Sequence, residues 1–201
     1  MADFYIATED RLSETIAELL VKATGHSVAA KIPKDRRQHA GFGYLKARLP
    51  DFISSCRGGV RLLLLTDLDT RPCPPDLLQD WLGATSKPDS LLLRIAVREV
   101  ESWVLADRSQ FAGWLGVSEE IVPATPETCL DPKADLLKVA ARSRHRDLRE
   151  GLLPKRNAAS KVGLEYNDLL CGFVTERWRI EVASQIAPSL DRAIRRLREC
   201  N

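Results

Sequence analysis

The chain lacks the features that mark several large classes of protein. Its five cysteines form no C-x-x-C motif, which argues against a zinc site, and their odd number argues against a disulfide framework. The longest apolar runs, LLLL at 62–65 and LLL at 91–93, are much too short to span a bilayer. The N-terminal residues carry charges where a signal peptide has an apolar run. We therefore expect a cytoplasmic protein with free thiols.

An excess of charge of one sign is also missing. Lys and Arg number 30 and Asp and Glu 28, so the formal net charge is only +2. Without a general basic field, a nucleic-acid partner has to be bound by a local patch. The sequence also contains neither G-x-x-x-x-G-K-[ST] nor G-x-S-x-G, which argues against a P-loop nucleotidase and a serine hydrolase.

Hydrophobic patterning in the first half alternates between strand and helix. Strands separated by helices predict an α/β fold with a mostly parallel central sheet flanked by helices. After about residue 100 only helical patterns occur, with a predicted helix start at Asp131-Pro132. We therefore predict an α/β core at 1–107 and a helical extension at 108–201 packed on that core. The predicted elements of the core are strands at 3–8, 60–66 and 91–97, helices at 11–24, 44–56 (interrupted at Pro50) and 75–82, and a loop at 31–43.

Three carboxylates follow predicted strands. Glu9 comes after the first strand, and Asp67 and Asp69 come after the leucine-rich strand. The carboxyl ends of parallel strands are where α/β sheets bind ligands, and an extended D-x-D points both side chains the same way. Oxygen ligands of this kind suit Mg²⁺ or Mn²⁺. The alternative is that an Asp after a strand only caps a turn or helix, which is the role we expect for Asp10.

The combination of YIATEDRLSETIAELL and LLLLTDLD resembles the Toprim domain over roughly residues 3–107. This domain occurs in bacterial primases, type II topoisomerases and the overcoming-lysogenization-defect nucleases. The resemblance implies that Glu9 acts as general acid/base or metal ligand and that Asp67 and Asp69 hold Mg²⁺. Many Toprim sequences have Gly after this Glu, whereas this chain has Asp10. With VREVESWVLAD, the chain resembles more narrowly a bacterial Toprim-like family often encoded beside an ATPase in defence-type gene clusters.

Further candidates surround this set. On the resemblance Glu101 is an additional or second-metal ligand, and its alternative is a first-turn Glu favoured by the helix dipole. Ser160–Gly163 is a candidate loop that brings Lys161 to a phosphate, where a cation would stabilise developing charge. Two basic runs are candidate phosphate contacts, although each is equally typical of a solvated face; they include Arg36 and Arg37 in the first run, and Arg144, Arg146 and Lys161 in the second.

Two functions from different classes follow. The first is a metal-dependent nuclease that hydrolyses phosphodiester bonds of DNA or RNA. The second is a non-catalytic Toprim-like subunit that binds a partner ATPase. In either case the arginines of the last helix (Arg192, Arg195, Arg196 and Arg198) are expected on its exposed side.

Overall fold

The computed structural model describes residues 1–32 and 42–200, and the chain divides into two compact units. The sheet unit comprises Met1–Val97 and Asp191–Asn201, and the helical unit comprises Arg98–Leu190. This division lies at 97/98, whereas the sequence suggested 107/108. It also assigns the C-terminal segment to the sheet unit. The boundary differs because Val100–Ala106 is a fully buried helix of the helical unit.

The strands of the sheet unit are β1 (Asp3–Thr8), β2 (Ser27–Lys31), β3 (Leu62–Asp67) and β4 (Leu91–Ala96). In the described residues they form one parallel sheet with the order β2-β1-β3-β4. The predicted α/β fold, with a mostly parallel sheet flanked by helices, is thereby confirmed. In β3, Leu62 to Leu65 are each at most 1% exposed, as expected for a strand covered on both faces.

Strand β2 was not predicted, and Lys31 was assigned to a loop. Its sequence, SVAAK, has only one β-branched residue and no apolar alternation. β2 pairs with β1 alone, at the edge of the sheet, and its residues are half-buried or exposed. Its strand conformation therefore depends on backbone pairing with β1, which hydrophobic patterning does not report.

Three helices connect the strands: α1 (Arg11–Ala23), α2 (Phe42–Arg57) and α3 (Pro74–Leu82). α1 begins as predicted at Asp10, whose side chain accepts a hydrogen bond from the Ser13 N–H at 2.7 Å. α2 continues through Pro50, so the predicted interruption there is wrong. The apolar side chains around the proline, Leu49, Phe52 and Ile53, are buried in the core and hold the helix together.

The helical unit contains α4 to α9 together with two single turns of 3₁₀ helix at Glu119–Ile121 and Pro126–Thr128. α6 begins as the sequence predicts, with Asp131 accepting from the Ala134 N–H at 2.7 Å and Pro132 in the first turn. The α-helices are α4 (Val100–Ala106), α5 (Arg108–Leu115), α6 (Pro132–Ala140), α7 (Arg146–Leu152), α8 (Tyr166–Glu176) and α9 (Ile180–Ile186).

The last helix, α10 (Pro188–Arg198), belongs to the sheet unit from Asp191 onward. Its Ala193, Ile194 and Leu197 are buried, and the Leu197 carbonyl lies 2.9 Å from His26 Nε2. These contacts explain why the segment joins the sheet unit. Among the described residues, no helix is both long and apolar enough to cross a membrane.

Candidate functional site

Glu9, Asp67 and Asp69 lie at the carboxyl ends of the two central strands. β1 ends at Thr8 and β3 at Asp67, and the two strands pair directly, with Thr8 opposite Leu65. The strand order places β2 on one side of β1 and β3 and β4 on the other, so the chain reverses its direction of winding between β1 and β3. This topological switch point is where open α/β sheets bind their ligands.

Glu9 is half-buried and held by β3. The Thr66 hydroxyl donates a hydrogen bond to its Oε1, and the backbone N–H of Asp67 donates to the same carboxyl group. The pKa of Glu9 is raised from 4.5 to about 7. Burial is the main cause and the charges of Asp69 and Asp10 add to it, while the two hydrogen bonds act in the opposite direction. A carboxyl group with this pKa exchanges a proton near neutral pH, as a general acid or base must.

The D-x-D segment is not extended throughout. Leu68 continues the ladder, since its N–H donates to the Ala96 carbonyl at 2.9 Å and its side chain is buried. Asp69 then adopts a left-handed backbone conformation with φ of 50°. Non-glycine residues with positive φ are uncommon and concentrate at functional sites. The expectation that both Asp side chains point the same way assumed an extended backbone that Asp69 does not have.

Asp67 also lies on the face of the sheet opposite to Thr66, the residue that binds Glu9. Leu62, Leu64 and Leu68 belong to the core cluster formed with α2 and α3, so strand alternation places Thr66 on that face and Asp67 on the opposite one. Consistent with this, the described residues contain no group of three or more His, Cys, Asp or Glu side chains arranged to hold a metal ion.

Carboxylates, the type of oxygen donor that Mg²⁺ prefers, are nevertheless present at this edge of the sheet. Mg²⁺ retains several waters and is commonly bound through one or two carboxylates together with substrate phosphates. Asp67, the last residue of β3, and Asp69, two residues further on, are both half-buried. Glu9, whose oxygens accept hydrogen bonds and whose pKa is about 7, is better suited to proton transfer than to ligation.

Thr66 is a residue of the candidate site that sequence reasoning missed. It is 1% exposed and follows four consecutive buried leucines, so its hydroxyl is a polar group placed in an apolar strand. Such a group needs a hydrogen-bond partner, and Glu9 provides one. The available signal was the one hydroxyl in LLLLTD, one residue before the first Asp. Glu14, the first acid of α1, lies 3.3 Å from Lys31 Nζ and forms an ordinary ion pair with it.

Glu101 lies in the helical unit, where it is 1% exposed. Its Oε1 accepts a hydrogen bond from the Tyr166 hydroxyl at 2.8 Å and lies 3.3 Å from Lys133 Nζ. Lys133 also lies 3.7 Å from Glu99. Glu101 is thus a charge-compensated residue that links α4, α6 and α8. A role as a metal ligand remains only an implication of the Toprim resemblance.

The predicted cations of the second basic run also belong to the helical unit. Arg144, Arg146 and Lys161 are exposed, and Arg146 pairs with Glu150 at 2.7 Å. Lys161 lies in the predicted loop. The backbone is closely packed there, since a Cβ atom added to Gly163 would lie only 2.0 Å from the Gly151 carbonyl oxygen. Arg36 and Arg37, from the first run, lie outside the described residues.

Comparisons with known proteins identified no relative of this chain. The chain matches no protein-family model, no curated protein and no solved structure. Its function therefore has to be inferred from its own residues and their geometry.

Proposed function

We propose that the chain is a Toprim-type, Mg²⁺-dependent nuclease that hydrolyses phosphodiester bonds of DNA or RNA at the carboxyl edge of its sheet. The observation that carries the proposal is Glu9, a half-buried carboxyl group with a pKa of about 7 at the β1/β3 switch point. Asp69, in a left-handed conformation, lies close enough to raise that pKa. Perturbed acids in such positions are typical of catalytic sites.

Each residue has a distinct task in this proposal. Asp67 and Asp69 bind the cation, which when bound neutralises phosphate charge and lowers the pKa of a water molecule. Glu9 exchanges a proton with the attacking water or the leaving oxygen, because near neutral pH both of its protonation states are populated. Thr66 fixes the orientation of Glu9 through its hydroxyl group.

Nucleic acid is the proposed substrate because exposed cations are concentrated in one segment of the helical unit. Phosphate contacts by Arg and Lys supply most sequence-independent affinity for nucleic acid. The segment joins the end of α6 to the start of α8, and the structure leaves Arg142, Arg144, Arg146, Lys155, Arg156 and Lys161 exposed there.

The direct test is cleavage of labelled single-stranded DNA, double-stranded DNA and RNA with Mg²⁺ or Mn²⁺, compared with EDTA. Asp67→Asn and Asp69→Asn should each reduce the rate at least about 100-fold, since each removes a ligand of the charge-stabilising cation. Glu9→Gln should reduce it by about 100-fold or more, the usual contribution of a general acid or base. Asp51→Asn is the matched control, because Asp51 is an exposed acid of α2 in the same unit.

Cleavage that survives both Asp variants would refute the proposed site. If the wild-type chain neither cleaves nor binds Mn²⁺ in calorimetry but forms a stable complex with an ATPase, the chain is instead the non-catalytic Toprim-like subunit. That outcome would retain the fold and remove the reaction.

A further inference from the structure

A cavity of about 330 Å³ lies in the helical unit, between α6 and the segment at the end of the first 3₁₀ turn. Three apolar and three charged side chains line it: Ile121, Pro123 and Val139, and Asp135, Lys138 and Arg142. The volume is at the lower end of the range found for small-molecule sites. The cavity therefore accommodates a single ring system with its substituents.

One wall of the cavity is a single face of α6. Asp135, Lys138 and Val139 are three and four residues apart, and Arg142 extends the same row by a further turn. The row continues past the end of the helix because the Arg142 N–H donates to the Val139 carbonyl at 3.0 Å. The spacing thus brings a carboxylate, two cations and an apolar side chain to one side of α6.

The opposite wall is apolar and its backbone is held in place. Ile121 and Pro123 are half-buried, and Val122 between them is 1% exposed. Arg108 of α5 donates from Nε to the Val122 carbonyl at 3.3 Å and from Nη2 to the Glu119 carbonyl at 3.0 Å. Because these bonds fix the wall, little conformational entropy is lost when a ligand enters the cavity.

The charge of the lining that remains for a ligand is that of Arg142. Asp135 is offset by Lys138, whose Nζ donates to it at 2.6 Å. Glu119, in the adjoining 3₁₀ turn, lies 3.3 Å from Arg108 Nη1 and does not line the cavity. Arg142 is exposed, and within the described part of the chain its guanidinium forms no ion pair. An anionic group at this end of the cavity is therefore favoured.

Arg142 also begins the run of exposed cations, which continues with Arg144 and Arg146. The run is held against the end of α5, since the Arg144 N–H and the Ser143 hydroxyl donate to the Leu115 carbonyl at 3.1 and 2.8 Å. A strand whose phosphates contact these cations passes the cavity at Arg142. There a base that turns toward α6 meets apolar side chains on both walls.

We propose that this cavity binds one unpaired base of a single-stranded nucleic acid, with Arg142 contacting the adjacent phosphate. A base in a single strand is free to turn out and to place its faces against protein side chains, whereas a paired and stacked base is not. Guanidinium groups bind phosphate oxygens through paired N–H donors. This base site depends on the proposed function for its choice of ligand, and it narrows the substrate from nucleic acid in general to single strands.

Fluorescence anisotropy of the full chain in EDTA, at constant ionic strength, tests the base site with two labelled strands of equal length. One is oligothymidylate, and the other consists of abasic tetrahydrofuran units, which keep the phosphates and lack the bases. The wild-type chain should bind oligothymidylate at least about tenfold more tightly, since contacts to bases contribute on this scale. A duplex competitor should displace oligothymidylate only weakly.

Two variants separate the contact to the base from the contact to the phosphate. Ile121→Ser removes an apolar wall and should reduce the preference for oligothymidylate to less than about threefold, with the abasic affinity unchanged. Arg142→Gln, at an exposed position that does not endanger folding, should weaken both strands by the same factor, about threefold. Ile186→Ser, at a more exposed isoleucine of α9, is the matched control and should leave both affinities unchanged.

Four results would overturn the base site. They are no binding of either strand by the wild-type chain, equal affinity for the two strands, a full preference retained in folded Ile121→Ser, and unchanged affinities in Arg142→Gln. Because binding is measured without metal, failure of the nuclease is distinguishable. A chain that prefers bases but does not cleave refutes the reaction alone, and a chain that cleaves without this preference refutes the base site alone.

Discussion

The two units differ in how far their buried polar groups are compensated by partners. In the helical unit, Asp107 is fully buried and accepts hydrogen bonds from the backbone N–H, Nε and Nη2 of Arg179. Glu101 is likewise bound by Tyr166 and Lys133. In the sheet unit, Glu9 keeps a pKa of about 7 despite its hydrogen bonds, and Arg94 has no carboxylate partner among the described residues.

This contrast separates charge-compensated polar groups from polar groups whose pKa is perturbed. A buried charge that is paired and hydrogen-bonded contributes a specific connection between elements. A half-buried group whose ionisation is perturbed, and whose neighbours do not offset the perturbation, is prepared to meet a ligand or a proton. Under the proposed function the sheet unit carries the chemistry, whereas the buried charges of the helical unit connect its helices.

The largest expected effect on stability is in the helical unit. Asp107→Asn replaces the carboxylate that is hydrogen-bonded to Arg179 by a neutral amide, so the free energy of unfolding should fall by about 3 kcal/mol. Urea denaturation measures the change. Glu150→Gln, which removes the acid of an exposed arginine pair, should have no measurable effect. Equal losses in free energy of unfolding for Asp107→Asn and Glu150→Gln would show that the buried pair contributes no more than the exposed one.

The sheet unit should respond to pH through Glu9. Its pKa in the folded chain is about 7, above 4.5, so the folded state retains a proton that the unfolded state has lost, and stability falls as pH rises through this window. The fall amounts to at most about 3 kcal/mol. Glu9→Gln should abolish it, so that the variant gains stability relative to wild type between pH 5 and about pH 8. Urea denaturation in EDTA, with Glu14→Gln as the control, measures the difference. If Glu9→Gln and wild type differ in free energy of unfolding by the same amount at pH 5 and at about pH 8, the pKa of Glu9 is not raised.

The third expected effect tests whether the hydrogen bond from Tyr166 to the buried Glu101 carboxylate stabilises the helical unit. Tyr166→Phe removes the hydroxyl that donates to this buried carboxylate and should reduce the free energy of unfolding by about 2 kcal/mol. Tyr5→Phe alters a more exposed tyrosine of β1 and should be neutral. Thermal and urea unfolding give the two values. No loss in Tyr166→Phe would show that Glu101 does not depend on this bond.

The smallest effect should be the same in both units. Asp10→Ala and Asp131→Ala each remove an N-cap carboxylate that accepts a backbone N–H at 2.7 Å, and each should cost about 1 kcal/mol. Helical circular dichroism during urea unfolding provides the measurement. A clearly unequal cost would mean that the units differ in local helix stability as well as in their buried charges.

Much of the sheet unit was predictable because its signals are local. The leucine runs predicted β3 and β4, and Asp10 predicted the start of α1. In the helical unit, Asp131 likewise predicted the start of α6. The placement of Glu9, Asp67 and Asp69 at strand ends followed from the same patterns. Edge strand β2 escaped prediction because its stability comes from pairing with β1 rather than from its own side chains.

The sequence by itself determined the elements, their caps and the edge of the sheet at which the acids lie, because hydrophobic period and capping depend on residues a few positions apart. Tertiary structure alone decided the strand order that makes β1 and β3 the switch point, the conformation of Asp69 and the burial of Glu9 and Arg94. These properties depend on which elements pack together, and packing sets the dielectric surroundings and partners of each charge. The same residue types are therefore paired, charge-compensated groups in one unit and groups with perturbed pKa values in the other.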